Sequence, residues 1–314
     1  MPDEIDLSLS IIVPLFNRAN TVSDTLGSVL RSIKYLHSNS DSSLFCRLIV
    51  VDDCSTDNGE EVVKDLRKDN GDICEILLIR NEQNSGVVAS RLEGLRMSNR
   101  SIIHMLDQDD IVSQKFYVAA LNKIESKTAV VIAGNLIDGR NRILARANTR
   151  TLARFSEHAM KARLNRINTY VFGGNPITSP GSVVFHPSFR DDLLLFYEKV
   201  TSAGRFDGVD DGMLYPFLLN KGYRFTFVKD CLFSYRIHAS NQSVNLGKST
   251  MHSNSGSLMD ELFRAGFVSK HQYKGMKKRN LLMKGFYSRK GFDRYLWLLR
   301  NFGTTTRKVL FKYF

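Results

Sequence analysis

The 314-residue chain contains no apolar run approaching the roughly 20 residues needed to span a bilayer, so no transmembrane helix is expected. Its first residues, MPDEIDLSLS, are acidic and polar and lack the cationic and apolar regions of a signal peptide. Cysteine is scarce. Cys46, Cys54, Cys74 and Cys231 form no CxxC pair, which argues against a zinc site. With no export signal, the expected compartment is the reducing cytoplasm. Two common phosphate-binding fingerprints are also missing: there is no GxxxxGKS/T loop, and no GxGxxG follows the first apolar segment. Acids are nearly absent from the C-terminal end. From Arg264 to Phe314 there are fourteen Lys and Arg against the single acid Asp293. The whole chain carries +12 and this segment +13, so residues 1–263 sum to −1.

What is present is alternation. Hydrophobic residues make up 43% and charged residues 24%, the balance of a globular protein long enough for a large buried core. LSIIVPL (9–15), CRLIVVDD (46–53), EILLIR (75–80) and SIIHMLD (101–107) read as strands. Val22, Leu26, Val29, Ile33 and Leu36 predict a helix over 20–36, with Asn20 or Thr21 as its cap. Residues 54–69 predict a turn and a helix, and SGVVASRLEGLRMS (85–98) predicts another. A helix near 113–125 and a strand at TAVVIA (128–133) follow. Strands of this kind alternating with helices predict an α/β fold, a mostly parallel Rossmann-like sheet flanked by helices. Ligands in such sheets sit at the carboxyl ends of the strands, where Pro14, Asp52, Asp53, Asp107, Asp109 and Asp110 fall.

Beyond about residue 135 the pattern loosens. VFGGNPITSPGSVVFHPS (171–188) joins a Gly/Pro-rich loop to a short strand, and residues 205–228 read as an acidic loop, a helix and a strand. NLGKSTMHSNSGS (245–257) has the composition of a linker. The expected organisation is a catalytic domain over 1–243, split near 135, a linker over 244–257, and a basic, aromatic, helical region over 258–314.

Five constellations carry chemistry. In HMLDQDDIVS (104–113), alternation on an extended backbone puts Asp107 and Asp109 on one face. Two such carboxylates repel unless a cation lies between them, and oxygen ligands suit Mg²⁺ or Mn²⁺. The competing reading is an acidic turn in which Asp110 caps the next helix. In VVDDCSTDNG (50–59), an Asx-rich turn explains Ser55, Thr56 and Asp57 but not the pair Asp52 and Asp53, which can accept hydrogen bonds from a nucleobase or ribose. Arg91 is either a phosphate ligand or a solvated helix-face residue. In FDGVDDG, Asp207, Asp210 and Asp211 offer a general base, or simply acids favoured before a helix. Pro216 is comfortable only near a helix start, which puts the expected start near Tyr215 and Asp211 in the preceding loop. His238 is a metal ligand, a pyrophosphate donor or a structural histidine.

Taken in order, SIIVPLFNR, VVDDCSTDNG, NSGVVASRLEGL, MLDQDD, VDDG and YRIH resemble the motifs of family 2 glycosyltransferases of the GT-A fold, over residues 8 to about 243. The resemblance implies that Pro14 and Asn17 line a nucleotide pocket, that Asp52 and Asp53 bind the nucleotide sugar with Asp53 at the base, and that Arg91 meets the diphosphate. It makes Asp107 and Asp109 the DxD-type ligands of the nucleotide sugar and a divalent metal, Mn²⁺ or Mg²⁺, with His238 nearby. Asp211 becomes the catalytic base, while Asp110, adjacent to the DxD-type pair, and Asp210 are weaker site candidates. Cys54 stands where Gly is common, Leu92 where Asn often follows the Arg, and Asp210 where Glu is usual. The implied activity is inverting transfer of a sugar, from a UDP-sugar in most of the family, to a glycan or lipid-linked acceptor in bacterial surface polysaccharide synthesis.

Two other functions are weighed against it. A sugar nucleotidyltransferase normally carries a Gly-rich basic loop after the first strand, and PLFNRANT is neither. A non-catalytic nucleotide- or membrane-binding protein has no need of Asp53, Asp107, Asp109 and Asp211 together. The basic, aromatic tail over 264–314, with RYLWLLRNF as a candidate amphipathic helix, suits the anionic inner face of the cytoplasmic membrane or a lid on the catalytic domain. No nucleic-acid module accompanies the charge, so nucleic acid is not an expected partner.

Overall fold

The computed structural model describes residues 8–39, 44–99, 101–145, 156–177, 179–238, 241 and 247–289. The first half is the expected alternation. Strands β1 (Ser8–Leu15), β2 (Phe45–Asp52), β3 (Glu75–Arg80) and β4 (Ile102–Met105) pair in parallel in the order β3-β2-β1-β4. Helices α1 (Ala19–Ser38), α2 (Gly59–Asn70) and α3 (Val87–Met97) make the crossovers. Successive side chains of a strand point to opposite faces, and β1 uses both. Leu9, Ile11 and Val13 enter a core with α1, whereas Ile12 enters a second core with α3.

The second half completes a nine-stranded sheet. A two-residue strand, β5 (Ile111–Val112), directly follows the acidic cluster, then come α4 (Phe116–Leu121), β6 (Thr128–Ile137), β7 (Ile143–Ala145) and α5 (Glu157–Leu164). After β8 (Val183–Phe185) come α6 (Arg190–Ala203), α7 (Asp211–Asn220) and β9 (Arg224–Arg236). β8 is antiparallel to both β4 and β6, β9 runs parallel to β6, and β5 pairs antiparallel with β9. That last pairing draws the segment after Asp110 onto β9, which delivers His238 to the same edge.

Four details depart from the sequence reading. Helix α1 begins at Ala19, and neither Asn20 nor Thr21 caps it. Asp57 does so from the turn after β2, accepting from the Ala19 N–H at 2.8 Å. Helix α4 is shorter than 113–125 and starts at Phe116, because Ser113 N still donates to Leu232 O of β9 at 2.7 Å. Helix α7 starts at Asp211 and carries Pro216 inside it. An interior proline costs roughly 3 kcal/mol. Met213, Leu214, Tyr215, Phe217 and Leu218 are all buried, and full burial of each large apolar side chain is worth about 1.5–3 kcal/mol, so packing outweighs the proline. Finally, α8 (Gly247–Arg264) runs through most of the expected linker. It packs on α9 (Lys270–Tyr287), which opens with a capping box of Ser269 and Gln272. Leu258, Met259 and Leu262 are fully buried in the same core as Ile12. The described part of the basic region therefore packs on the body of the sheet. RYLWLLRNF lies outside the described residues, and among those described no helix is long and apolar enough to cross a membrane.

Helix α3 lies so close to β1 that a Cβ at Gly94 would collide with the Ile12 side chain, which is fully buried and β-branched. Gly94→Ala is expected to destabilise the protein by about 1–3 kcal/mol through overpacking, despite alanine's better helix propensity of about 1 kcal/mol. A lower urea midpoint at unchanged m-value checks it.

Candidate active site

The carboxyl ends of β1, β2 and β4 open on a cavity of about 550 Å³. Pro14, Asn17, Asp53, Arg91, Asp107 and Asp109 line one part of it, and Asp210 and Asp211 another. The fold thus gathers eight of the eleven sequence candidates. Asp52, Asp110 and His238 do not line it.

The turn after β2 shows why Asp52 and Asp53 differ. The Asp52 carboxylate is fully buried and accepts from Ser55 N at 2.9 Å and from Arg80 Nη1 at 2.6 Å. It fastens the turn to β3 and does not face the cavity. Asp53 accepts from Ser85 N at 2.9 Å, Gly86 N at 2.7 Å and Asn81 Nδ2 at 2.8 Å. It thereby shapes the 81–86 loop along the cavity wall. Cys54, between Asp53 and Ser55, has φ 64°, a left-handed conformation in which a side chain costs about 1–2 kcal/mol. Glycine would sit there without strain. Asn17, with φ 49°, accepts from Thr56 N at 2.8 Å, tying the end of β1 to the same turn.

The acidic cluster after β4 is a turn, closed by Asp110 N–H donating to Asp107 O at 3.1 Å. Asp107 and Asp109 both reach the cavity, as alternation on an extended backbone predicts, but through turn geometry. Asp110 is fully buried and turned elsewhere. It neither lines the cavity nor caps α4. It accepts from Arg236 N at 3.1 Å and Ser179 Oγ at 3.2 Å, joining β9 to the Ser179 loop. Burial, then the charges of Asp109 and Asp107, push its carboxyl well above the usual range. His238 Nε2 lies 2.8 Å from Asp109 Oδ2, and Arg236 Nε donates to Asp109 O at 2.8 Å. His238 thus orients Asp109 from behind. Burial and the Asp107 charge raise the Asp109 pKa, and the His238 hydrogen bond only partly opposes them.

Arg91 ties this cluster to the acidic loop. Its Nη2 donates to Asp107 Oδ1 at 2.6 Å and its Nη1 to Asp210 Oδ2 at 2.9 Å. The guanidinium is almost fully buried, and its Nε has no hydrogen-bond partner. Burial disfavours its charge, but Asp107 and Asp210 outweigh that and hold it protonated. Arg91 is therefore not a solvated helix-face residue: it lines the cavity with both terminal nitrogens engaged by carboxylates.

The acidic loop sorts its three carboxylates. Asp207 accepts from Arg205 Nε at 2.7 Å and from Val88 N, at the start of α3, at 3.3 Å. Gly86 makes room for it, since a Cβ there would lie 2.5 Å from Asp207 Oδ2. Asp210 is buried between Arg91 and the Tyr197 hydroxyl, which donates at 3.3 Å. Asp211 keeps partial exposure on the cavity wall and accepts from Asn175 Nδ2 at 2.9 Å. Desolvation, then the neighbouring Asp210 charge, push its pKa up to about 7. Gln108, Tyr197, Arg205 and Asn175 belong to the site's framework and were not singled out as site residues in the sequence. Gln108 lay inside a recognised motif, and Asn175 inside the Gly/Pro-rich loop. Tyr197 carries no local signal.

Asp107 and Asp109 are hard oxygen donors facing one cavity, and among the described residues no three His, Cys, Asp or Glu side chains converge as a metal cage. That donor set fits Mg²⁺ or Mn²⁺ of the kind held by one or two carboxylates plus substrate phosphates.

A nucleotide-binding half-sheet with carboxylates at the strand ends, joined to a mixed half carrying an acidic loop, is the architecture of a GT-A glycosyltransferase. The sequence matches the profile of glycosyl transferase family 2 over residues 10–183, and the chain belongs to that family. It is 24% identical over 319 residues to the poly(ribitol-phosphate) beta-N-acetylglucosaminyltransferase TarP of Staphylococcus aureus (strain N315), covering 96% of this chain and 89% of TarP. Among solved structures, S. aureus TarS 1–349 in complex with UDP-GlcNAc shares the fold with a TM-score of 0.60 at 14% identity, covering 96% of this chain and 81% of that one. The mannosyltransferase PcManGT from Pyrobaculum calidifontis, in complex with GDP-Man and Mn²⁺, gives 0.57 at 14% identity, over 96% and 78% of the two chains.

Arg91→Met is expected to cost about 3–5 kcal/mol at neutral pH, because it strands Asp210 as a buried, unpaired charge. The loss should shrink as pH falls, since protonation of Asp210 removes the charge. Adding Asp210→Asn should restore part of it. Urea unfolding of the single and double variants across pH checks both expectations.

Proposed function

We propose that this glycosyltransferase is metal-dependent and inverting, moving a sugar from a UDP-sugar to a hydroxyl of a glycan or lipid-linked saccharide in bacterial surface polysaccharide synthesis. The observation that carries the reading is the division of labour in the acidic loop. Asp207 and Asp210 are engaged by arginines, whereas Asp211 faces the cavity shared with Asp107 and Asp109 and is held by the Asn175 amide and the Gly212 backbone. A pKa near 7 matches a general base working at neutral pH. The likeness to TarP supports an N-acetylglucosamine donor and a polyol-phosphate acceptor as the first pair to test.

In this mechanism Pro14, Asn17 and Asp53 form the nucleotide end of the cavity. Asp107 and Asp109 would hold the divalent ion, which when bound neutralises charge on the departing diphosphate. Arg91 fixes Asp107 in place and keeps a positive charge behind it. Asp211 accepts the proton of the acceptor hydroxyl as that oxygen bonds to the anomeric carbon. The bond from that carbon to the diphosphate breaks in the same displacement, with inversion. The catalytic unit on this reading is the body over 1–243, with α8 and α9 packed against it.

Transfer is measured as UDP release from UDP-GlcNAc with Mn²⁺ and poly(ribitol-phosphate). Asp211 must be ionised to act, so kcat/KM should rise about tenfold per pH unit below pH 7 and level off above it. Asp211→Asn should lower kcat by roughly 10²–10⁴-fold with donor affinity unchanged. Full turnover by this variant would remove Asp211 from the mechanism.

Asp109→Ala should abolish Mn²⁺-dependent donor binding in calorimetric titration. An unchanged Mn²⁺-dependent isotherm rules out Asp109 as a metal ligand.

A further inference from the structure

We infer that Asn175 is the positioning residue for Asp211, and that helix α9 holds it in place; the inference rests on Asp211 being the base. Asn175 donates through Nδ2 to Asp211 Oδ2 at 2.9 Å, and its Oδ1 accepts from Ile177 N at 3.0 Å. The second bond fixes the orientation of the amide. A backbone N–H can only donate, so Oδ1 must face Ile177 and the NH₂ group must face Asp211. An amide NH₂ cannot accept a proton. Asp211 Oδ2 therefore faces a fixed donor, which orients the carboxylate on the cavity wall. The same bond favours the ionised carboxylate, against the burial that disfavours it.

Asn175 does not line the cavity. It acts through Asp211. Its own position comes from the turn of π-helix at Thr169–Gly173 and from Gly174, whose φ of 89° is open to glycine. That turn is held from the far side by α9. Arg279 donates through Nη1 to Tyr170 O, and Gly275 lets Val171 approach so closely that a Cβ there would overlap it. Phe172 packs edge-on against His271. The Gly/Pro-rich loop read in the sequence as a connection is thus a strut from the C-terminal hairpin to the base.

The charged and titratable groups around Asp211 are Asp210 beside it, Arg91 from α3, Asp107 after β4, Tyr215 on α7 and Tyr197 on α6. None of them changes on substitution at position 175, so a displaced pH profile reports the lost amide. In the transfer assay described above, Asn175→Ala should lower kcat roughly tenfold and move the acid limb of kcat/KM upward by about one pH unit, with donor affinity by calorimetry unchanged. Asn175→Asp keeps the shape but sets a second carboxylate against Asp211. It should move the limb further in the same direction, and it covers the case in which the alanine variant does not fold. If Asp211→Asn is inactive while neither Asn175 variant moves the limb or kcat, the inference is overturned and Asp211 keeps its role. Full turnover by Asp211→Asn overturns both.

Discussion

One buried guanidinium shared between two carboxylates governs this site. Asp107, Asp210 and Asp211 stand close together on the wall of one cavity, and Arg91 neutralises only part of that charge. Its two donors go to Asp107 and Asp210, which come from opposite halves of the chain. The ion pairs therefore also fix the mixed half of the sheet against the nucleotide half. Desolvation first, and then the Asp210 charge, lift the pKa of the third carboxylate, Asp211, to about 7, against the pull of Arg91. The clamp and the raised pKa both follow from gathering carboxylates that outnumber their cation and are partly withdrawn from water.

The shortage also orders the donor side. Asp109 lies beside Asp107 and is supported from behind by His238 and Arg236. Asp110, the third acid of the cluster, is removed from the cavity by β9 and Ser179. Two carboxylates remain facing the space where a hard cation and a diphosphate would meet. An arginine aimed straight into that space would compete with the cation. Arg91 instead commits both terminal nitrogens to Asp107 and Asp210 at the cavity wall.

Much of this was legible in the sequence because it is local. The apolar runs ending in Pro14, Asp53 and Asp107 announce parallel strands with chemistry at their ends, and the fold sets them side by side. What was not legible depends on partners far away in the chain. Asp52 and Asp53 are adjacent and chemically identical, yet Arg80 claims one and the 81–86 loop the other. The cap of α1 comes from Asp57, which no local pattern at 18–21 reveals. Pro216 argues for a helix start at Tyr215 until the burial of its neighbours is known. Cys54 shows the reverse case. A non-glycine residue at a position favoured by glycine reads as a departure, but the backbone keeps the left-handed turn and bears the strain.

The Ser/Asn-rich stretch before the basic tail carries the same lesson further. Its composition is that of a linker, and a linker would make the C-terminal region a separate unit. Helix formation there depends on partners rather than propensity. His252 lies 2.8 Å from Asn280 across the two helices, and Leu258, Met259 and Leu262 enter the core that contains Ile12 and Val51 of the central sheet. A domain boundary falls where few contacts cross, and here a single apolar core runs from the parallel strands through α6 to α8 and α9. The hairpin therefore belongs to the catalytic body physically, whatever the basic residues beyond it do. Because α9 bears on the turn that carries Asn175, the stability of the hairpin and the geometry at Asp211 are coupled through one continuous set of contacts.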